Sequence, residues 1–206
     1  VARERATALL LDLDGVLRRF DPAVAAGVER EFGLADGVLT EIAMQWGRLQ
    51  PVLTGQVSHA DWVSSVADAL AEPAGGPDQA RAAVEQWQRY RGEVDTEVLD
   101  FVREVRAAGI RVGLATNATD LLDADLAALG LTDEVDVVVN SSTLGVHKPA
   151  PEYFQAACAA LGILPAKVLF VDDEDWAIRG ARAAGLSAHR WGGHGDLRYL
   201  RAALAY

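Results

Sequence analysis

The residues of this 206-residue chain with the most chemical promise are four aspartates, a threonine, an asparagine and a lysine. Asp12 and Asp14 follow the leucines of LLLDLDGVL, Thr116 and Asn117 end IRVGLATN, Asp172 and Asp173 end AKVLFVDD, and Lys148 stands in the loop SSTLGVHKPAPEYF. An ionised carboxylate can attack an electrophile, and a second can carry a proton. A hydroxyl, an amide and an ammonium can hold and neutralise an oxyanion. Taken singly, each has a plain structural explanation. Aspartate after an apolar run is a common turn or N-cap residue. Thr116 could cap a helix opening at Ala118 or Thr119, and Lys148 could be a solvated loop lysine. Asp172 and Asp173 could begin a turn, with Glu174 and Asp175 continuing an acidic helix start.

The elements around them favour a shared role. Apolar runs recur at 6–14, 110–117, 134–141 and 166–173, and more weakly at 187–191. Continuous runs of this kind suit strands buried on both faces, as in a parallel sheet. Helical patterns alternate with them at 96–109, 118–130, 151–162 and 175–185, ending at Gly109, Gly130, Gly162 and Gly185, where a left-handed C-cap is expected. Such alternation predicts an α/β fold, a doubly wound Rossmann-like parallel sheet. Ligands of these sheets bind beyond the carboxyl ends of the strands, near a switch in strand order. The four aspartates, Thr116, Asn117 and Lys148 are then expected on one rim.

Four unpaired carboxylates on one rim repel one another, and a hard cation removes the conflict. Mg²⁺ takes oxygen ligands and uses a few carboxylates together with substrate phosphate oxygens. Asp12, Asp172 and Asp173 are the candidate ligands, with the metal keeping Asp12 ionised and nucleophilic.

About a hundred residues separate the first two strands, far more than the roughly thirty of a whole βαβ unit. The excess, 18–94, reads as an inserted helical module with helices over 21–33, 37–53, 58–71 and 77–92, and EPAGGP as its loop-like break. Ser58, followed by Asp61, reads as an N-cap. Trp46, Trp62 and Trp87 are read as the core of this module rather than as a ligand cage, although tryptophans would also suit a dimer contact. The expected division is 1–17 with 95–206 as the α/β core, and 18–94 as the helical insertion.

Composition narrows the partners. A formal charge of −11 and a pI near 4.7 disfavour nucleic acid and anionic membranes, but not a small anion held by local cations. Cys158, the single cysteine, sits on an apolar helical face and is expected in the core. No run approaches the roughly 20 apolar residues of a membrane span. A soluble, cytoplasmic protein is expected, monomer or homodimer.

In order and on the expected elements, DLDGVL (12–17), ATN (115–117), KP (148–149) and VDD (171–173) resemble the four motifs of the haloacid dehalogenase-like hydrolase superfamily. The inserted module resembles the helical C1-type cap of that family, and LTGQVSHADW (53–62) resembles a stretch common in such caps. The resemblance implies a Mg²⁺-dependent phosphatase acting on a small phosphorylated metabolite. In it Asp12 forms an aspartyl-phosphate, and Asp14 protonates the leaving oxygen and then activates water. It further implies that Thr116, Asn117 and Lys148 hold the phosphoryl group, and that Asp12, Asp172, Asp173 and the backbone carbonyl of Asp14 hold the metal. An acid at position 14 argues against carbon–halogen cleavage, which has no leaving oxygen to protonate. A phosphomutase uses the same two aspartates and is the alternative; a non-catalytic binding protein of this fold is a more distant one. The family often carries asparagine where this chain has Ala177, which bears on the surroundings of the metal. Arg18 and Arg19 fall where the family has a mobile flap: they either grip a second anionic group or, on the plainer reading, are solvated. His147 reads as a loop neighbour of Lys148.

Overall fold

A computed structural model of the chain describes residues 5–204. Strands β1 (Ala8–Leu11), β4 (Arg111–Thr116), β5 (Val137–Asn140), β6 (Val168–Asp172) and β7 (Ser187–Arg190) form a parallel sheet in the order β5-β4-β1-β6-β7. Strand β1 is central and buried throughout, as its run of leucines requires. Its side chains alternate between faces with the period of two that a pleated strand imposes. Leu9 and Leu11 pack with Phe101, Val102, Val112, Leu114 and Val171 on one face, and Ala8 and Leu10 with Phe154, Ala157, Phe170 and Ile178 on the other. Helices α6 (Thr96–Ala107), α7 (Leu122–Ala128) and α11 (Leu197–Ala203) cover the first face. Helices α9 (Pro151–Leu161) and α10 (Asp175–Ala183) cover the second. Full burial of each leucine contributes about 1.5–3 kcal/mol, so β1 anchors both layers. The architecture is the expected α/β sandwich, and Gly109, Gly130, Gly162 and Gly185 all take positive φ.

From β1 the chain first builds outward through β4 to β5, then crosses back to β6 and β7 on the other side. The switch in strand order therefore lies between β1 and β6, and a crevice opens beyond their carboxyl ends. Leu11 pairs with Val171 in register, which puts Asp12 and Asp172 side by side at that crevice.

Between β1 and β4 lies a helical module of α1 (Pro22–Glu31), α2 (Val38–Ala43), α3 (Trp46–Leu53), α4 (His59–Leu70) and α5 (Pro77–Gln88). It has an apolar core of its own around Leu39, Val52, Trp62, Val66, Leu70 and Val84. Ser58 caps α4 as expected, its hydroxyl accepting from the Asp61 N–H. Two very short strands, β2 (Arg18–Arg19) and β3 (Glu93–Val94), pair antiparallel where the chain enters and leaves the module. The Asp95 N–H also donates to the Leu17 carbonyl at 2.8 Å. A short helix α8 (Ser141–Leu144) follows β5.

Three local expectations need correction. The helix expected over 37–53 is two helices, because Gln45 takes extended backbone (ψ 121°) and breaks the run. That break turns Trp46 outward: it is 56 % exposed rather than part of the module's core, whereas Trp62 is buried and Trp87 partly so. The helix expected from 118 begins only at Leu122. The polar segment before it is held by side chains instead, the Ser141 hydroxyl accepting from the Ala118 N–H and Asn140 donating to the Thr119 carbonyl. Among the described residues no helix is long and apolar enough to cross a membrane.

Candidate active site

The rim residues converge. Lys148, 2 % exposed in its side chain, reaches Asp12 at 2.9 Å and Asp172 at 2.6 Å, and ties the two adjacent strand ends together. Asp12 also accepts from the Leu13 N–H at 2.8 Å, and Asp172 from the Glu174 N–H at 2.7 Å. Both carboxylates are thus oriented by backbone as well as by the ammonium. Lys148 is itself positioned by Asn117, whose side-chain carbonyl accepts from the Lys148 N–H (2.8 Å) and whose side-chain amide donates to the Lys148 carbonyl (3.1 Å). The loop lysine is therefore buried and immobilised, not solvated. Thr116, 1 % exposed, ends β4 beside them and lines the same cavity.

Charge in this cluster is unbalanced. Burial pushes the Asp12 carboxyl well above its ordinary pKa; the Lys148 ammonium pulls it down, but Asp172 and Asp14 push it up again. Burial opposes the charge on Lys148 too, and the two carboxylates more than restore it, so the ammonium is kept. Burial and the neighbouring Asp172 likewise raise Asp173. Asp12, Asp172 and Asp173 each bring a carboxylate oxygen within 4.8 Å of the others. Gly15, at φ +81°, passes so close that a Cβ there would lie 2.2 Å from the Asp173 carboxylate. Three crowded carboxylates facing one ammonium, with a glycine turn folded over them, fit a hard divalent cation bound through oxygen.

Asp14 is set apart from this cluster. Its carboxylate is partly exposed and takes a two-pronged bond from Arg18, Nε–Oδ1 2.6 Å and Nη2–Oδ2 3.0 Å. Arg18 also reaches Asp125 of α7 at 2.9 Å, and Arg91 clamps the same Asp125 at 2.8 and 2.6 Å. Burial alone would raise the Asp125 carboxyl, yet the bonds and charges of Arg91 and Arg18 hold it below the usual carboxylate range. Arg18 is only 4 % exposed, which overturns the solvated-flap reading for it. Burial was achievable because two aspartates compensate the guanidinium. Arg19 is exposed, with Nε 3.2 Å from Asp95.

Above the cluster lies a cavity of about 1270 Å³ between the helical module and the carboxyl ends of the strands. Asp12, Asp14, Thr116, Asn117 and Lys148 line its floor, and Trp46, Trp62 and Trp87 face it from the module. His147 is more than a loop neighbour: its ring packs edge-on against Trp46 at 5.3 Å and lines the cavity. Ala177 is fully buried on the core face of α10, while Trp176 beside it lines the cavity.

Arg91 and Asp125 were missed from sequence, whereas Arg18 was singled out beside the first motif but not given its aspartate partners. Asp125 carried a signal: it shares the i, i+3, i+4 face of α7 with Leu122 and Leu126, where an unpaired acid has no reason to be. Its partners lie 107 and 34 residues away, so they could not be named.

Comparison with known proteins agrees with this geometry. The family model described as haloacid dehalogenase-like hydrolase matches residues 6–185. A Mycobacterium tuberculosis protein named phosphatase MT3486 is 34 % identical over 193 residues, covering 89 % of this chain and 86 % of that one. The phosphoglycolate phosphatase of Escherichia coli K12 is 29 % identical over 199 residues, 84 % of this chain and 76 % of its own length. Among solved structures, an HAD family enzyme of Bacteroides thetaiotaomicron, bt-2542, crystallised with magnesium and inorganic phosphate, superposes with a TM-score of 0.74 at 22 % identity. That match covers 95 % of this chain and 98 % of the other, and speaks for the fold. With the motif residues gathered at one switch point and the family model spanning nearly all of the sheet, the chain belongs to the haloacid dehalogenase-like hydrolase family.

Proposed function

We propose that this enzyme is a Mg²⁺-dependent phosphatase, a phosphoric monoester hydrolase that acts on a small phosphorylated metabolite through an aspartyl-phosphate on Asp12. The observation that carries the reading is the buried Asp12–Lys148–Asp172 cluster at the floor of the cavity, with a second carboxylate, Asp14, two residues from the first. The phosphatase names of its relatives support it.

In this reading an Asp12 carboxylate oxygen attacks phosphorus, and the bond from phosphorus to the leaving oxygen breaks. The leaving oxygen takes a proton from Asp14, which requires its two-pronged pairing with Arg18 to open so that one oxygen is protonated and faces the substrate. Water then attacks the phosphorus of the aspartyl-phosphate, returns a proton to Asp14, and the bond to Asp12 breaks. The Thr116 hydroxyl and the Asn117 backbone amide hold phosphoryl oxygens, and Lys148 neutralises charge on the transferring group. Asp12, Asp172, Asp173 and the Asp14 backbone carbonyl would hold Mg²⁺, which supplies positive charge against both the phosphoryl oxygens and the nucleophile. Residues 18–94 serve as the cap, moving on the β2–β3 linkers and excluding bulk water over the substrate. The two ends of the core division, 1–4 and 205–206, lie outside the described residues.

A generic aryl phosphate assayed with and without Mg²⁺, for the wild type and Asp12→Asn, tests the reading. Metal-dependent turnover that falls at least about 1000-fold in the variant is expected. Wild-type inactivity across a broad panel of phosphate esters contradicts it.

A further inference from the structure

Of the large apolar side chains that are well exposed among the described residues, Phe20, Met44, Trp46 and Trp176 all line the one cavity above Asp12. They come from three places, the linker (Phe20), the helical module (Met44, Trp46) and the start of α10 (Trp176). Tyr90 of the second linker joins them, its ring edge-on to Phe20 at 5.9 Å. Apolar surface gathered from separate elements onto one concave wall, and left uncovered there, is matched by an apolar ligand.

The charged groups of the lining point the same way. Arg18 and Arg91 are committed to Asp14 and Asp125, and Lys148 to Asp12 and Asp172. His59 faces the cavity between Thr119 and Gln88; burial, then the nearby Arg91, lower its pKa, so it is uncharged at neutral pH. Arg30 on α1 is the remaining cation of the lining, and carboxylates outnumber cations across it. A substrate with a second anionic group, such as a carboxylate, would find acids already holding the guanidinium groups nearest the reacting centre.

We propose that the cavity selects phosphate monoesters whose alcohol carries a bulky, uncharged aromatic or aliphatic group, seated against Trp46, Trp176, Met44 and Phe20. This rests on the phosphatase reading above, and it separates the chain from a relative named for the small diacid phosphoglycolate. The volume, about 1270 Å³, is generous for a two-carbon ester and suits a substrate of drug-like size.

The test compares primary-alcohol esters of matched leaving-group chemistry, so that reactivity does not mask recognition. Steady-state kcat/KM is measured with Mg²⁺ for propyl phosphate, 3-phenylpropyl phosphate and 2-phosphoglycolate. In parallel, calorimetric titration measures binding of propylphosphonate and 3-phenylpropylphosphonate. The expected result is a kcat/KM about 10–100-fold higher for the phenylpropyl ester than for either small ester. The phenylpropylphosphonate should bind at least about tenfold tighter than its propyl analogue. Trp46→Ala, a change at an exposed side chain, narrows the phenylpropyl-to-propyl ratio about fivefold. Equal values for the two alkyl esters, a preference for 2-phosphoglycolate, or a ratio unmoved by Trp46→Ala overturns the proposal. If no ester is turned over, the phosphatase reading fails, and the phosphonate titration still decides the pocket: equal binding of the two overturns it.

Discussion

At the scale of single residues, the site is a problem in charge that one buried ammonium answers only in part. Lys148 is the only cation within bonding distance of Asp12 and Asp172 among the described residues, and all three are buried. Removing one partner of a buried ion cluster leaves uncompensated charge, at a cost of about 3–5 kcal/mol. Lys148→Met is therefore expected to lose both stability, by denaturant titration, and activity, by at least about 100-fold in kcat. A variant of wild-type stability would contradict the pairing. Asp12, Asp14, Asp172 and Asp173 stood out in the sequence because carboxylates placed just after buried strands have few structural reasons to be there in such number, and Lys148, in a loop, stood out only through the resemblance of KP to a family motif. The burial of Arg18 was not legible, because nothing local distinguishes a solvated arginine from one that two distant aspartates draw inward.

At the scale of elements, Asp125 deserves the most weight. It lies on α7 of the α/β core, and it grips Arg18 on the way into the helical module and Arg91 on the way out. One carboxylate thus fastens both linkers to the core, beside the β2–β3 pair. Asp125→Asn keeps the shape of the side chain but removes its charge; the expected loss is about 3 kcal/mol. Amide hydrogen exchange should speed up at Arg18, Arg19, Glu93 and Val94 relative to β1 and β6. Exchange accelerated uniformly, or not at all, would argue against a linker clasp. The parallel strands were readable from their apolar runs and the helices from their period and C-terminal glycines. The two-residue strands β2 and β3 carry too few positions for any pattern. The late start of α7 is set by bonds to Asn140 and Ser141, which a local pattern does not contain, and the break at Gln45 lies in its extended backbone rather than in a helix-breaking residue.

At the scale of the whole molecule, the ion pairs of the linkers contribute to the response to acid, as do those of Glu134 and Asp136. Burial works against ionised Asp95, but His194 at 2.8 Å, the Val98 N–H and Arg19 outweigh it and lower its pKa; Asp125 is lowered in the same way. A carboxyl whose pKa is depressed on folding adds stability above its unfolded value, near 3.9, and loses it as the pH falls through the folded value. The melting temperature in a pH series should therefore hold near neutrality and fall steeply below about pH 4. Asp125→Asn should flatten that fall; an unchanged slope would show that the acid sensitivity lies elsewhere. The molecule combines a formal charge of −11 with an ammonium, that of Lys148, buried against Asp12. The account of catalysis depends on the residue which that cation faces, Asp12. Acid quench of the Mg²⁺-loaded wild type during turnover, followed by peptide mass spectrometry, tests this most directly. The account predicts phosphate on Asp12 that decays as product forms, and none in Asp12→Asn. Full turnover with the phosphoryl group trapped on another residue, or undiminished turnover by Asp12→Asn, would contradict it.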